Sequence, residues 1–494
     1  MESIISLELF LVKPLFLLLL PAFAAAVIWL SIGLKSSLKW KTKGLNLPPG
    51  NMGGPLSIWE NITFLKSSSC DSHGDFAEQN IQKYGKIYKS YVMGEPTIFS
   101  TDIDFQRFIL LNDGKLFEQH GPKTLSHILG RTSMLVVNGD LHHHLRSLSL
   151  NFVGISKLKT LFLPDINRIV IQLMKDWKEN TPFRMKEEAC KVTFNVMVKN
   201  VLSMNPGVEG AEELRKLYMC FMKGLLALPV YFPGTAYWKA LQSRKAILSK
   251  LRRVLKERIR KKEAAGIDEF DQSDLLGYVL QNSNLSVEQI GDLLLGLIFG
   301  GHETTTSSIV MSVYYLHGCP MALKQLREEH VGIVMSKKAR GDQEEGLTWD
   351  DYKKMSFTQC VISESLRLGN IIKMIRKRAT KDVHFKGYDI PRGWSVILYL
   401  VSAHMDSSVY ENPEKFDPWR WKRNPQSTAF LPFGQGLRKC PGQELARMET
   451  AIFLHHFLLN FEWELVESDH PMGYAIPQFL KGLPLKVQRL PTLN

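Results

Sequence analysis

The sequence lacks the closely paired cysteines of disulfide frameworks and zinc sites. Its 494 residues include six cysteines, and no two of them form a Cys-x-x-Cys pair. Scattered cysteines are typical of a reducing compartment and give little support to a disulfide-rich secreted fold. A basic array interleaved with aromatic residues is also missing, so nucleic acid is not the expected partner. The surplus of 62 basic over 49 acidic residues, a net charge of +13, instead favours a membrane surface or an acidic protein.

One long stretch without charge lies near the amino terminus. Residues 15–34 form a run of twenty uncharged residues, and as a helix this run would span about 30 Å, the thickness of a bilayer's hydrocarbon core. Lysines follow at once, which by the positive-inside rule places the rest of the chain in the cytosol. A cleaved signal peptide is the alternative, but the apolar run continues past Ala24–Ala26. We therefore expect an anchor at 1–34, a basic, proline-rich linker at 35–50, and one globular domain at 51–494.

A single cysteine lies in a segment rich in turn-forming residues. Residues 433–442 read Phe-Gly-Gln-Gly-Leu-Arg-Lys-Cys-Pro-Gly, which places Cys440 on a tight loop. Apolar residues at helical spacing follow, so the loop leads into a helix, where backbone N–H groups and the helix dipole favour a thiolate. Because no second cysteine or histidine is close by, the thiolate cannot complete a zinc site, but it can bind one face of a haem iron. A buried structural cysteine is the alternative.

A second unusual segment interrupts a long apolar stretch at 290–316. Residues 300–306 read Gly-Gly-His-Glu-Thr-Thr-Thr, and adjacent glycines with β-branched hydroxyl residues make a poor helix interior. Such departures concentrate at functional sites. Thr304 can hold water or a bound oxygen species, and Glu303 can relay protons. A kink or a helix end at the glycines is the alternative.

A helix is predicted to begin after Asp140, which would act as its N-cap, and to run through Leu150. His142 and Arg146 then lie four residues apart on one face of this helix. A solvated polar face explains the same spacing.

A further helix carries Glu364 and Arg367 three residues apart among apolar neighbours. A buried pair of this kind needs a third partner, and Arg420 in the later segment 413–420 is a candidate. Between these segments, residues 371–375 are expected to form a strand that lines a pocket, and 386–393 give a turn-rich hairpin signal.

The cysteine segment matches the pattern Phe-x-x-Gly-x-Arg-x-Cys-x-Gly and resembles the haem-binding signature of the cytochrome P450 superfamily. Residues 300–305, the Glu364/Arg367 pair and residues 413–420 resemble the family's oxygen-activation motif and structural triad, in the family's order. The resemblance implies the cytochrome P450 fold, mainly α with a small β region, preceded by one N-terminal transmembrane helix.

The same resemblance implies the site residues and the cofactor, haem b (iron protoporphyrin IX). Glu303 and Thr304 would be the catalytic pair, and Cys440 the iron ligand. One of the three cations at 376–378 would meet a haem propionate, and residues 476–483 would form a second pocket-lining hairpin. The family usually has tryptophan where His142 stands. The remaining cofactor-binding residues implied are Arg438, Phe433, Gly436, Gly442, Arg146 and His142, and the three open candidates are Arg376, Lys377 and Arg378.

Residues 232–237, 351–370 and 386–394 are similar to plant sterol hydroxylases of the brassinosteroid-biosynthesis type. This resemblance implies hydroxylation of a sterol side chain, for example at C-22 of a phytosterol or cholesterol. Oxygen would come from O2, and electrons from NADPH through NADPH–cytochrome P450 reductase. The other expectations are membrane lipid as a partner and a single-pass location in the endoplasmic reticulum membrane, with the catalytic domain cytosolic. The alternatives are oxidation of another lipophilic plant metabolite such as a triterpenoid or diterpenoid, a haem-thiolate isomerase or dehydratase, and a non-catalytic sterol- or haem-binding membrane protein.

Overall fold

The computed structural model describes residues 44–491, except 53–57, 226, 267, 342–345 and 425–426. The predicted anchor at 1–34 and most of the linker lie outside the described residues. Among the helices described, none combines the length and the apolar character that crossing a bilayer requires.

Helices make up most of the described chain, as the sequence predicts. A π-helical turn at Leu158–Phe162 and a 3₁₀ turn at Gly436–Arg438 add to them. In chain order the helices are α1 Ile58–Leu65, α2 Asp75–Tyr84, α3 Ile103–Leu111, α4 Lys123–Leu129, α5 Gly139–Phe152, α6 Ile155–Lys157, α7 Leu163–Lys175, α8 Met185–Leu202, α9 Glu209–Met222, α10 Ala236–Ala265, α11 Leu275–Asn282, α12 Val287–His317, α13 Pro320–Ala339, α14 Trp349–Lys354, α15 Ser356–Gly369, α16 Leu400–His404, α17 Arg420–Arg423 and α18 Gln443–Asn460.

The strands form four small sheets. The largest has the order β2-β3-β9-β6-β4, in which β3 and β9 are parallel and the other neighbours are antiparallel. The others are β10-β13-β5, β1-β11-β12 and the hairpin β7-β8. The strands are β1 Ser68–Ser69, β2 Ile87–Val92, β3 Glu95–Ser100, β4 Phe117–Gln119, β5 Phe183–Arg184, β6 Met374–Ala379, β7 Val383–Phe385, β8 Tyr388–Ile390, β9 Ser395–Tyr399, β10 Phe461–Leu465, β11 Pro471–Gly473, β12 Gln478–Phe479 and β13 Pro484–Arg489.

Helix α12 is the centre of the domain. It begins with a capping box in which the Ser286 side chain and Gln289 satisfy each other's backbone N–H groups. It then packs against α8, α15 and α18 and is buried along most of its length. The helix continues without a break through 300–306, so the helix end considered for the glycines is absent. Burial against three neighbouring helices stabilises a segment that its own helix propensity disfavours.

Two boundaries predicted from the sequence are wrong. Helix α5 begins at Gly139 with Asn138 as N-cap, so Asp140 lies inside the first turn and does not cap it. The pocket strand begins at Met374, because Lys373 leaves the sheet and donates its ammonium group to Ser68 and its backbone N–H to Ala475. The turn-rich signal near 386 does mark a hairpin, β7-β8, whose turn residues Lys386 and Gly387 both have positive φ.

Candidate active site

The predicted cysteine loop, residues 433–442, contains the 3₁₀ turn Gly436–Arg438 and ends where α18 begins, at Gln443. The Cys440 backbone N–H donates to the Phe433 carbonyl at 2.8 Å, which closes the loop. Gly436 has a φ of 72°, and any Cβ there would collide with the Leu110 carbonyl of α3. Glycine is therefore required at this position by both the backbone conformation and the close approach of α3.

The groups around the Cys440 sulfur favour the thiolate, whereas burial opposes it. Burial raises the pKa of the thiol, although the Gly442 backbone N–H and the charge of Arg146 act in the opposite direction. Burial outweighs both because desolvation penalises the charged form. A metal ion reverses this balance, since a thiol that coordinates a metal is deprotonated.

Arg438 connects the cysteine loop to the segment before α5. Its guanidinium group donates to the Met134 carbonyl at 3.2 Å, to Asn138 Oδ1 at 2.9 Å and to the Val137 carbonyl. Its Nε lies 3.4 Å from Asp113 Oδ2. These contacts hold the guanidinium group in a fixed place between the cysteine loop and residues 134–138.

The three cations at 376–378 point to two different sides of β6. Arg376 Nη2 and Arg378 Nη2 both lie on Glu95, at 2.9 and 3.0 Å. Lys377 faces the opposite side, where its buried Nζ lies 2.7 Å from Asp113 Oδ2. The alternation of a strand explains the division, and among the three only Lys377 contacts the carboxylate that Arg438 also approaches.

The cluster has the charge that a haem with two propionates requires. Lys377 and Arg438 lie at one carboxylate, Asp113, and the charge of Arg146 acts on Arg438, so the cluster carries a surplus of positive charge. Burial and the charges of Arg438 and Arg146 lower the pKa of His142 to about 4, which keeps its ring neutral. His142 Nδ1 and Arg438 Nε are buried without a hydrogen-bond partner, so both are free to form a hydrogen bond with a polar group of the cofactor, Arg438 as the donor. The residues present fit haem.

The two predicted catalytic residues lie on α12, and each has a different environment. The Thr304 hydroxyl donates to the Gly300 carbonyl at 2.6 Å. A Cβ on Gly300 would meet no atom within 4 Å, whereas one on Gly301 would collide with the Met197 side chain of α8. Gly300 therefore borders open space beside Thr304, and Gly301 permits close packing of α8 on α12.

The Glu303 carboxylate is buried, and side chains from two distant parts of the chain contact it. Gln478 on β12 donates its amide to Glu303 Oε1 at 2.8 Å, and Lys186 Nζ lies 3.8 Å from the same oxygen. Neither partner could be found from the sequence, because Gln478 lies 175 residues from Glu303 and no local pattern marks Gln478 or Lys186.

Behind the cysteine loop, the predicted triad is present and buried. Glu364 accepts Arg367 Nη2 at 2.8 Å and Arg420 Nε at 2.9 Å. Trp421 Nε1 and the Asp417 backbone N–H complete the set of donors, each at 3.0 Å. The triad joins α15 to the segment that leads into the cysteine loop.

Comparisons with known proteins agree with this geometry. The family model for cytochrome P450 matches residues 52–484. A cholesterol 16,22-dihydroxylase from Paris polyphylla is 56% identical over 455 residues, covering 91% of this chain and 93% of that protein. A steroid (22S)-hydroxylase from Oryza sativa subsp. japonica is 47% identical over 458 residues, covering 91% and 89%.

A solved structure gives the same result for the fold. The retinoic acid-bound cyanobacterial CYP120A1 superposes with a TM-score of 0.79 at 26% identity and covers 91% of this chain and all of that one. The chain belongs to the cytochrome P450 family, and it is a monooxygenase with haem as its cofactor.

Proposed function

We propose that this enzyme hydroxylates the side chain of a sterol at carbon 22. The observation that carries the proposal is the printed activity of its relatives. The relatives that are 45–56% identical to this chain include cholesterol 22-hydroxylases and steroid (22S)-hydroxylases. The chain matches each of them over about nine-tenths or more of its length. The 56% identical relative is a cholesterol 16,22-dihydroxylase, so carbon 16 is a further position to examine in the product.

The site residues would hold the cofactor and separate it from water. Cys440 would bind the iron, and the haem would supply the activation of O2 that the side chains cannot supply. Arg438, Arg146 and Lys377 would pair with the propionates, with His142 offering its free Nδ1. Phe433, Gly436 and Gly442 would shape the loop that presents the sulfur.

The residues of α12 would supply protons. Glu303 would take a proton from solvent and pass it to the Thr304 hydroxyl. Thr304 lies beside the space next to Gly300, so its hydroxyl can turn from the Gly300 carbonyl toward a bound molecule.

The expected partners and location form part of the proposal. Electrons would come from NADPH through NADPH–cytochrome P450 reductase, whose docking the exposed Lys439 beside Cys440 supports. Attachment to the endoplasmic reticulum membrane would come from residues 1–34. Four apolar side chains before α10 support a lipid contact, because they are 52–70% exposed; they are Leu228, Val230, Tyr231 and Phe232.

Coexpression with a reductase tests the proposal. Cells fed cholesterol or campesterol should yield a 22-hydroxylated sterol, identified by mass spectrometry, and a Cys440→Ala variant should yield none. A spectral binding titration with the same sterols should show a shift of the Soret band. Absence of both the product and the shift, in a haem-loaded wild-type enzyme, would contradict the sterol substrate and favour another lipophilic metabolite.

A further inference from the structure

A chain of polar contacts joins the buried acid of α12 to the surface. Gln478 donates Nε2 to Glu303 Oε1 at 2.8 Å and accepts from Lys186 Nζ at 2.8 Å through its own Oε1. Lys186 Nζ lies 3.8 Å from Glu303 Oε1, and side-chain exposure falls from 24% at Lys186 to 6% at Glu303. The three side chains therefore lead from the partly solvated edge of α8 to the interior.

Two ionisable groups beside Glu303, His302 and Cys190, are neutral. Burial, together with the charges of Lys186 and Arg215, lowers the pKa of His302 to about 3. Burial raises the pKa of Cys190 to about 12. Lys186 is therefore the charged group that attracts the Glu303 carboxylate at close range.

The same neighbours could be read as a metal site, because Cys190, His302 and Glu303 bring donor atoms within 4.8 Å of one another. A divalent cation there would face the Lys186 ammonium group, which lies 3.8 Å from the carboxylate oxygen that the cation needs. The Gln478 amide already donates to that oxygen, and His302 Nδ1 is bonded to the Thr193 hydroxyl at 2.9 Å. The arrangement favours an anchored carboxylate over a bound metal.

We propose that Lys186 and Gln478 are positioning residues that hold the Glu303 carboxylate at the solvent end of the proton path. The proposal rests on the proposed function, in which each hydroxylation combines substrate, O2, two electrons and two protons into alcohol and water. Solvent water at the Lys186 side gives a proton to the carboxylate. The neutral carboxyl group then loses its charge attraction to Lys186, turns toward Thr304 and gives its proton to that hydroxyl, which passes its own proton inward.

Substitutions at the two anchors test the proposal in the haem-loaded enzyme. Lys186→Met and Gln478→Leu should lower kcat about tenfold, less than the loss expected from removing a proton donor itself. They should also release more hydrogen peroxide per NADPH oxidised and increase the solvent deuterium isotope effect, with the sterol KM unchanged. Lys186→Arg should restore coupling. Matched controls are Lys191→Met, on the same helix but paired with Glu188 at its surface, and Gln488→Leu on β13.

A second measurement does not depend on turnover. In the resting enzyme, an amine-acylating reagent followed by peptide mass spectrometry should modify Lys186 more slowly than the comparable Lys191. Gln478→Leu and Glu303→Gln should each accelerate modification of Lys186 and leave Lys191 unchanged.

The outcomes separate this proposal from the proposed function. Wild-type coupling in both Lys186→Met and Gln478→Leu, or reactivity of Lys186 that is indifferent to Gln478, would overturn the positioning role. Failure of the sterol assignment would appear differently, as a wild-type enzyme that yields no sterol product. The acylation measurement stays decisive in that case.

Discussion

Replacement of Glu364 by glutamine tests the buried triad most severely. The carboxylate is fully buried, as is Arg367, and Arg420 is nearly so. Glu364→Gln keeps the shape of the side chain but leaves two buried guanidinium groups without the carboxylate that pairs with both. Breaking a buried ion pair by removing one partner costs about 3–5 kcal/mol, because the remaining charge stays desolvated.

Urea denaturation of the haem-loaded protein, followed by circular dichroism and by haem absorbance, measures this cost. The matched control is Glu187→Gln. Glu187 forms an i,i+3 ion pair with Arg184, with the same spacing as Glu364 and Arg367, but both of its side chains are 62% exposed. Exposed pairs of this kind contribute at most about 1 kcal/mol. A Glu364→Gln loss as small as that of the control would refute the stabilising role of the triad.

Three further predictions concern the packing of Gly301, the protonation of His404 and the contacts of Lys377. Gly301→Ala should cost about 1–3 kcal/mol in urea denaturation, since its Cβ meets a methionine sulfur of α8, whereas Gly300→Ala should cost nothing; equal effects would contradict the packing. Burial and a neighbouring cation lower the pKa of His404 to about 3, below the roughly 6.5 of an unfolded chain. Stability should therefore fall as pH drops below about 6.5, by about 2 kcal/mol at pH 5 from this residue, and His404→Gln should reduce that slope. Lys377→Met should speed haem transfer to apomyoglobin more than Arg376→Met, and the reverse order would contradict the orientation of β6.

Most of the fold and site features that could be predicted from the sequence lie in short motifs. The cysteine loop is ten consecutive residues, and two of its glycines, Gly434 and Gly436, have the positive φ that tight turns require. The Glu364–Arg367 spacing among apolar neighbours already demanded a further partner, and Arg420 fills that place. Such patterns are local, so their physical requirements can be read directly from neighbouring residues.

Long-range partners could not be predicted in this way. Nothing near Glu303 in the sequence points to Lys186 or Gln478, which only the packing of α8 and β12 on α12 brings together. The contact of Lys377 with Asp113, which its neighbours Arg376 and Arg378 do not make, likewise depends on the register of β6. The pKa of the Cys440 thiol shows the same limit, because burial depends on the whole domain and outweighs the effects of the Gly442 N–H group and the nearby cations.

The carbon monoxide complex of the reduced enzyme tests the central claim, that Cys440 ligates the haem iron. In the haem-loaded wild-type protein, the Soret band of this complex should be shifted strongly to longer wavelength, as thiolate ligation of the iron produces. Cys360→Ser, which removes another half-buried thiol, should keep that band, and Cys440→Ser should lose it. A thiolate-type band that persists in Cys440→Ser, or one that never forms in well-folded, haem-loaded wild-type protein, would contradict the claim.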